Sequence, residues 1–145
     1  MIIICTACPS ACHDSRFCRR LLFLRVAQQK DAAHKAATSF SSQTDAPYVT
    51  TAWVLTEVAD GCSSVDRRNA FLELLELLRE SSDAKIIPPS EELFERGVEL
   101  FRQRPDKDWP LTDCISFAAM KDEGITEALT GDHYFEQAGF RALLQ

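Results

Sequence analysis

The stretch WPLTDCISFAAMKDEGITEALTGDHYF, residues 109–135, contains two aspartates at the starts of otherwise apolar elements. Asp113 stands near the beginning of a predicted helix that ends at Gly124, and Asp132 directly follows the predicted strand TEALT. Each aspartate alone has an ordinary explanation as a helix cap. Two carboxylates that meet at one edge of a sheet would instead indicate a metal site. The rest of the sequence has to decide between helix caps and a metal site.

The length and composition of the chain are those of one globular domain covering residues 1–145. The chain is 46% hydrophobic and 26% charged, which excludes a disordered protein, and its length is enough to bury a core. No apolar run is long enough to span a bilayer, and the first residues make a poor signal peptide. We therefore expect a cytoplasmic protein with no membrane partner.

Charge and cysteine are distributed unevenly along the chain. Residues 1–30 carry five basic side chains and one acid, whereas the remaining residues carry 11 basic and 21 acidic side chains. Four of the six cysteines also lie in this head, at Cys5, Cys8, Cys12 and Cys18. A body this acidic would repel a phosphate backbone unless cations intervene, so sequence-independent electrostatic binding of nucleic acid is disfavoured.

From Asp31 onward, helical and extended patterns alternate. Helices are predicted in DAAHKAATSFSSQ, AWVLTEVAD, SSVDRRNAFLELLELLRESSD, EELFERGVELFRQR, LTDCISFAAMKDEG and DHYFEQA, and strands in YVTT, AKIIPP, TEALT and FRALL. Ser63 with Asp66 predicts a capping box, and Ser90 predicts a second cap. The alternation predicts an α/β fold, a three-layer α/β/α domain with a mainly parallel sheet.

The carboxyl ends of parallel strands are where such folds bind ligands. Asp132 follows the strand TEALT, Asp113 begins a helix, and Glu57 lies on the helix after the strand YVTT. We therefore expect these three carboxylates, from three separate segments, to converge on one edge of the sheet.

Together these segments resemble PIN-domain nucleases, in particular VapC-type ribonuclease toxins of type II toxin–antitoxin systems. The resemblance is carried by LTDCISFAAM, ALTGDHYFEQAGF, TTAWVLTEVAD and KDAAHKAA, and it covers about residues 31–145. Each of these motifs alone is weak evidence for the resemblance, but their combination is highly specific.

The resemblance implies a metal-dependent endoribonuclease that cleaves RNA phosphodiester bonds. Glu57, Asp113 and Asp132 would bind Mg²⁺ or Mn²⁺, hard cations that prefer oxygen ligands. Supporting roles in orienting these acids or a metal-bound water would fall to Thr112, Ser116 and Thr130. The resemblance also implies a cognate antitoxin protein as partner and a homodimer. His34 and His133 are interpreted as surface or packing residues, although His133 lies beside Asp132 and could approach substrate.

The family's first motif, a strand ending in Asp, has no counterpart in this sequence. Its expected position falls at Arg19–Arg20, and Asp14 lies too early to replace it. For one allowed choice of codons, DNA encoding FCRRLLFLRVAQQ read one base later gives a peptide that begins Ser-Ala-Asp-Ala and continues with apolar residues, with the Asp at that position. We therefore interpret residues 1–30 as an atypical head, consistent with out-of-frame translation. As written, the chain would lose activity because it lacks one metal ligand.

The sequence leaves two other functions open. The chain could be a catalytically impaired PIN-fold module that acts by binding antitoxin or RNA. Alternatively, Cys5, Cys8, Cys12-His13 and Cys18 could ligate zinc or an iron–sulfur cluster, although their spacing is compressed and lacks a matching second pair.

Overall fold

A computed structural model describes residues 3–5, as backbone only, and residues 48–143. The predicted helix over residues 31–43, His34 and most of the cysteine-rich head lie outside these ranges. The described elements are β1 (Ile3–Cys5), β2 (Tyr48–Thr51), α1 (Ala52–Gly61), α2 (Val65–Glu80), β3 (Ala84–Ile87), α3 (Glu91–Gln103), α4 (Leu111–Asp122), β4 (Glu127–Leu129), α5 (His133–Gln137) and β5 (Arg141–Ala142). None of these helices is long and apolar enough to cross a membrane.

The strands form one five-stranded sheet in the order β3-β2-β1-β4-β5. β2 pairs with β3 in parallel, and β4 pairs with β5 in parallel. β1 lies between β2 and β4 and runs antiparallel to both, with Ile3 opposite Leu129 and Ile4 opposite Val49. The predicted mainly parallel sheet is confirmed, but its central strand runs against the other four.

Alternate residues of the strands face two separate helical layers. Tyr48 and Leu129 pack with α1 and α2 in one apolar cluster, whereas Val49 and Ala128 pack with α4 and α5 in another. The two-residue period of a strand therefore divides its side chains between the two sides of the sheet. This arrangement confirms the α/β/α layering expected from the alternating pattern.

Side-chain caps define the starts of three of the described helices, with Thr51, Ser90 and Asp132 as the capping residues. The Ser90 hydroxyl accepts a hydrogen bond from the Leu93 N–H at 3.2 Å, as predicted for α3. The capping box predicted at Ser63 and Asp66 is wrong. Ser64 is the N-cap residue of α2, and its hydroxyl accepts from Arg67 Nε at 2.9 Å without capping a backbone N–H.

Among the helices that the structure describes, α3 and α4 pack closely against each other at Gly97. A Cβ atom at this position would lie 2.3 Å from Ile115 Cγ1 and 3.1 Å from both the backbone N and Cα of Ile115. Ile115 is itself buried, so its side chain has little freedom to move aside. Glycine therefore sets the spacing between α3 and the helix that carries Asp113.

We expect Gly97→Ala to lower the free energy of unfolding by about 1–2 kcal/mol. Overpacking of a core typically costs about 1–3 kcal/mol, and the higher helix propensity of alanine offsets part of it. Urea denaturation would measure the change, with Glu95→Ala on the exposed side of α3 as control. The loss should be smaller in an Ile115→Ala background; full additivity would show that the contact is not the cause.

Candidate active site

The topology brings three carboxylates toward one edge of the sheet. β2 and β4 run in the same direction, so α1 and the segment leading to Asp132 both begin at their carboxyl ends. α4 leads into the opposite end of β4, and its first turn, which carries Asp113, therefore lies at that same edge. Glu57 is on the second turn of α1, on an exposed part of the helix.

Asp113 is the most unusual of the three acids because it is buried. Its side chain is only 4% exposed, and its Oδ2 has no hydrogen-bond partner among the described residues. Burial, followed by the negative charges of Asp132 and Glu57, raises the pKa of Asp113 to about 7. A buried, unpartnered carboxylate oxygen facing two further carboxylates is unfavourable unless a cation or a proton compensates it.

The reading of Asp113 as an ordinary helix cap is wrong. Pro110 is the N-cap residue of α4, and Asp113 is the third residue of the helix. Trp109, immediately before it, is buried against Phe117 in an edge-to-face contact with ring centroids 5.1 Å apart. α4 begins at Leu111, where the sequence predicted it, and Asp113 in its first turn is buried in the interior.

Asp132 is a helix cap whose negative charge also acts on Asp113. It is the N-cap residue of α5, where its Oδ1 accepts a hydrogen bond from the Tyr134 N–H at 2.9 Å. Its own N–H donates to the Thr130 hydroxyl at 3.0 Å. These bonds restrain the carboxylate, whose side chain is 36% exposed and whose charge acts on Asp113. Capping therefore orients Asp132 without removing it from the acidic group.

Glu57 owes its position to the way α1 begins. The Thr51 hydroxyl, fully buried at the end of β2, accepts a hydrogen bond from the Val54 N–H at 3.2 Å. Val54 and Val58 are buried in the core and hold α1 against the rest of the domain. Glu57 lies on an exposed part of the same helix, in its second turn after β2.

The three predicted supporting residues lie near Asp113 or Asp132 in the chain. Ser116 is fully buried one turn after Asp113, and its hydroxyl donates to the Thr112 carbonyl oxygen at 2.8 Å. Thr112 is partly buried beside Asp113, and Thr130 is fully buried beneath the turn that leads to Asp132. Of these, Thr130 makes the direct hydrogen bond that restrains one of the acids.

Two residues that help to position the acids were not singled out in the sequence. Thr51 caps the helix of Glu57, and Pro110 begins the helix of Asp113. The role of Thr51 could have been predicted from the sequence, since a Thr between a strand and a helix is a common N-cap. The sequence evidence for Pro110 was weaker, because a proline before a helix marks the start of the helix without showing which following residue will be buried.

The chemistry of these side chains suits a hard divalent cation. All three offer carboxylate oxygens, the ligands that Mg²⁺ and Mn²⁺ prefer, and the Asp113 Oδ2 lacks any other partner. Within residues 48–143, however, no three His, Cys, Asp or Glu side chains lie close enough together to hold a metal ion as they stand. The negative charges of Asp132 and Glu57 add to the effect of burial in raising the pKa of Asp113, but the three acids do not form a closed set of ligands.

Comparison with protein families supplies the deciding observation. Residues 22–141 match the family model described as the PIN domain. The chain belongs to the PIN-domain family. The match begins at residue 22, just after Arg19–Arg20, where the resemblance places the first aspartate of the family.

A solved structure shows that this PIN domain also shares its fold with a known protein. The crystal structure of Mycobacterium tuberculosis VapC20, described as a sarcin–ricin loop cleaving toxin, matches with a TM-score of 0.70 and 23% sequence identity. The match covers 87% of this chain and 92% of that chain, and at this identity it shows the fold alone. Comparison with curated proteins finds no match.

Proposed function

We propose that this PIN domain is a metal-dependent endoribonuclease, the VapC-type toxin of a toxin–antitoxin pair. Glu57, Asp113 and Asp132 would hold Mg²⁺ or Mn²⁺ and act on RNA phosphodiester bonds. The observation that carries the proposal is Asp113, a buried carboxylate with an unpartnered Oδ2 and a pKa raised to about 7 by burial and by two neighbouring carboxylates. Strongly perturbed carboxylates at the ligand-binding edge of an α/β sheet are typical of functional sites.

Each part of the proposed site has its own task. A bound divalent cation supplies charge neutralisation at the scissile phosphate and a water of lowered pKa. Asp113 provides a ligand that water cannot readily screen, and the Thr130 hydroxyl keeps the neighbouring Asp132 in position. Glu57, being exposed, provides an acid at the open side of the site. Thr112 and Ser116 support the first turn of α4.

The proposed partners follow from the same family assignment. We propose a cognate antitoxin protein, assembly as a homodimer, RNA as substrate, and the cytoplasm as location. Phe94 and Phe101 on α3 support a protein partner, since both rings are exposed one above the other on one helix. The acidic body also supports a role for a cation in RNA binding, because the protein charge alone would repel phosphates.

The alternative is a PIN-fold module that binds antitoxin or RNA but is catalytically impaired. It is favoured by the absence of a carboxylate at Arg19–Arg20 and by the open arrangement of the acids within residues 48–143. Sequencing the DNA that encodes residues 1–30 tests this directly. An Asp codon across the Arg19 and Arg20 codons, with a base lost or gained nearby, would favour the active enzyme.

Stabilisation by Mn²⁺ is the main test of the proposed site. Saturation to 100 times the dissociation constant should stabilise the native state by about 2.7 kcal/mol, which is about 5–10 °C in Tm for a chain of this size. Asp113→Asn should abolish the shift, whereas Glu76→Gln, which removes an exposed acid from α2, should keep it. RNA cleavage with Mn²⁺, blocked by EDTA, would establish the activity itself.

The possible outcomes separate the two candidate functions. A Tm shift together with cleavage supports the ribonuclease. No shift and no cleavage, with retained binding of RNA or antitoxin, supports the impaired module. A shift that Glu76→Gln abolishes as effectively as Asp113→Asn would contradict the assignment of the metal ligands.

A further inference from the structure

His133 is an exposed ring attached directly to the acidic edge. It is the first residue of α5 and follows Asp132, and its Nδ1 lies 3.6 Å from the Asp132 Oδ1. Its side chain is 67% exposed, so it contributes little to the core. An aromatic ring kept in solvent beside a carboxylate of the proposed site is well placed to contact whatever binds there.

The ring is also held in place by its neighbours. The Tyr134 ring lies against it, with centroids 4.4 Å apart and planes tilted by 46°. The next residue, Phe135, is fully buried and packs edge-to-face on Phe117 of α4, with centroids 4.7 Å apart. His133 is therefore backed by Tyr134 on a helix that is anchored to the helix of Asp113, so ordering it on binding requires little loss of freedom.

We propose that His133 is a specificity-determining residue that stacks on a nucleobase next to the scissile phosphate of single-stranded RNA. This inference rests on the proposed function. If Asp132 helps to hold the metal ion that acts on the scissile phosphate, the nucleotides flanking that phosphate would lie close to His133, the next residue in the chain. Unpaired bases of RNA stack readily on aromatic and histidine side chains.

The negative charge of the protein favours an RNA contact that does not depend on basic side chains. Affinity for RNA commonly comes from lysine and arginine contacts to phosphates, but residues 31–145 have ten more acidic than basic side chains. Of the cations near the end of the chain, Arg141 is already paired with Glu127 at 2.8 Å. Stacking on His133–Tyr134 adds affinity without requiring positive charge, and it is available only where the base is unpaired.

Two variants of the full chain test the role of the ring. His133→Ala removes it, whereas His133→Phe keeps an aromatic surface and removes both nitrogens. The probe is a single-stranded RNA with 2-aminopurine placed in turn at each position around the cleaved bond. Fluorescence and affinity are measured with Ca²⁺ in place of Mn²⁺ to slow turnover, and kcat and KM are then measured with Mn²⁺.

We expect quenching of 2-aminopurine at a position next to the cleaved bond in the wild type and in His133→Phe. His133→Ala should lose the quenching and bind about 5- to 100-fold more weakly. The slope of log affinity against log salt should stay the same in all three proteins, because stacking releases no counterions. The Mn²⁺ shift in Tm should also be unchanged.

Several results would overturn the inference. Equal losses in His133→Phe and His133→Ala would assign the role to the imidazole nitrogens. A salt slope reduced by about one would indicate an ionic contact with a phosphate. Unchanged RNA binding by His133→Ala alongside wild-type cleavage would refute only the stacking role, whereas a wild type that neither binds nor cleaves RNA would refute the proposed function with it.

Discussion

Asp113→Asn should make the metal-free protein more stable at pH 8 while abolishing metal binding and RNA cleavage. Burial, followed by the negative charges of Asp132 and Glu57, opposes ionisation of the wild-type carboxylate and raises its pKa to about 7. Asparagine has nearly the same shape and no charge. The substitution therefore removes a buried negative charge that, in the proposed function, is compensated when a cation binds.

The pH dependence of the free energy of unfolding shows why the variant should be the more stable protein at pH 8. The pKa of Asp113 is about 7 in the folded protein and 3.8 when unperturbed, so between these values the native state binds more protons than the unfolded state. The stability associated with the protonated group is present below about pH 4 and is lost as the pH rises to about 7. Between pH 5 and pH 8, this loss amounts to on the order of 3 kcal/mol.

Urea denaturation in EDTA at pH 5 and pH 8 would measure the effect. The difference in free energy of unfolding between Asp113→Asn and wild type should grow by on the order of 3 kcal/mol over this range in favour of the variant. Comparing the two pH values cancels the constant cost of burying the new amide group. Glu76→Gln controls for the loss of one negative charge, and a pH-independent difference for Asp113→Asn would contradict the buried, perturbed carboxylate.

The same variant should lose more than about 100-fold in kcat/KM for RNA. Residues that only orient metal ligands typically contribute about 10–100-fold, so a direct ligand is expected to contribute more. Stabilisation of the fold together with loss of activity would show that Asp113 is kept for function. Loss of activity through unfolding is excluded if the variant is as stable as predicted.

Asp132→Asn and Asp132→Ala should separate the two roles of Asp132. Asparagine can still accept the hydrogen bond from the Tyr134 N–H, whereas alanine cannot. We therefore expect Asp132→Ala to be about 1 kcal/mol less stable than Asp132→Asn. Both variants lack the carboxylate, so both should lose the Mn²⁺ shift in Tm and more than about 100-fold of the cleavage rate.

The comparison also tests the simplest structural explanation of Asp132. If the residue only caps α5, Asp132→Asn should retain the Mn²⁺ shift and the activity, because it preserves the cap. If Asp132 is also a ligand, the two variants should be equally inactive although their stabilities differ. Thermal unfolding with and without Mn²⁺, followed by RNA cleavage, distinguishes these results.

Much of the fold could be predicted because its determinants are local. The strand at Tyr48–Thr51 follows from a short β-branched run, and α3 follows from the Ser90 cap and the acidic residues after it. The helix containing Leu74 and Leu78 has apolar residues at helical spacing, and both are buried as that pattern requires. The capping box at Ser63 could not be predicted correctly, because neighbouring serines compete to cap the same helix and the exact boundary is decided by packing.

Within residues 48–143, the sequence by itself determined most of the segments that are helical or extended and which carboxylates follow strands, because local periodicity and capping contain that information. The resemblance to the PIN-domain family was carried by its quoted motifs. Only the tertiary structure decided that Asp113 is buried inside α4 without a partner for Oδ2, that Thr51 and Thr130 hold the segments of the other two acids, and that β1 runs antiparallel in the middle of the sheet. Burial, a raised pKa and strand direction depend on contacts between segments far apart in the chain, and local sequence patterns do not encode those contacts.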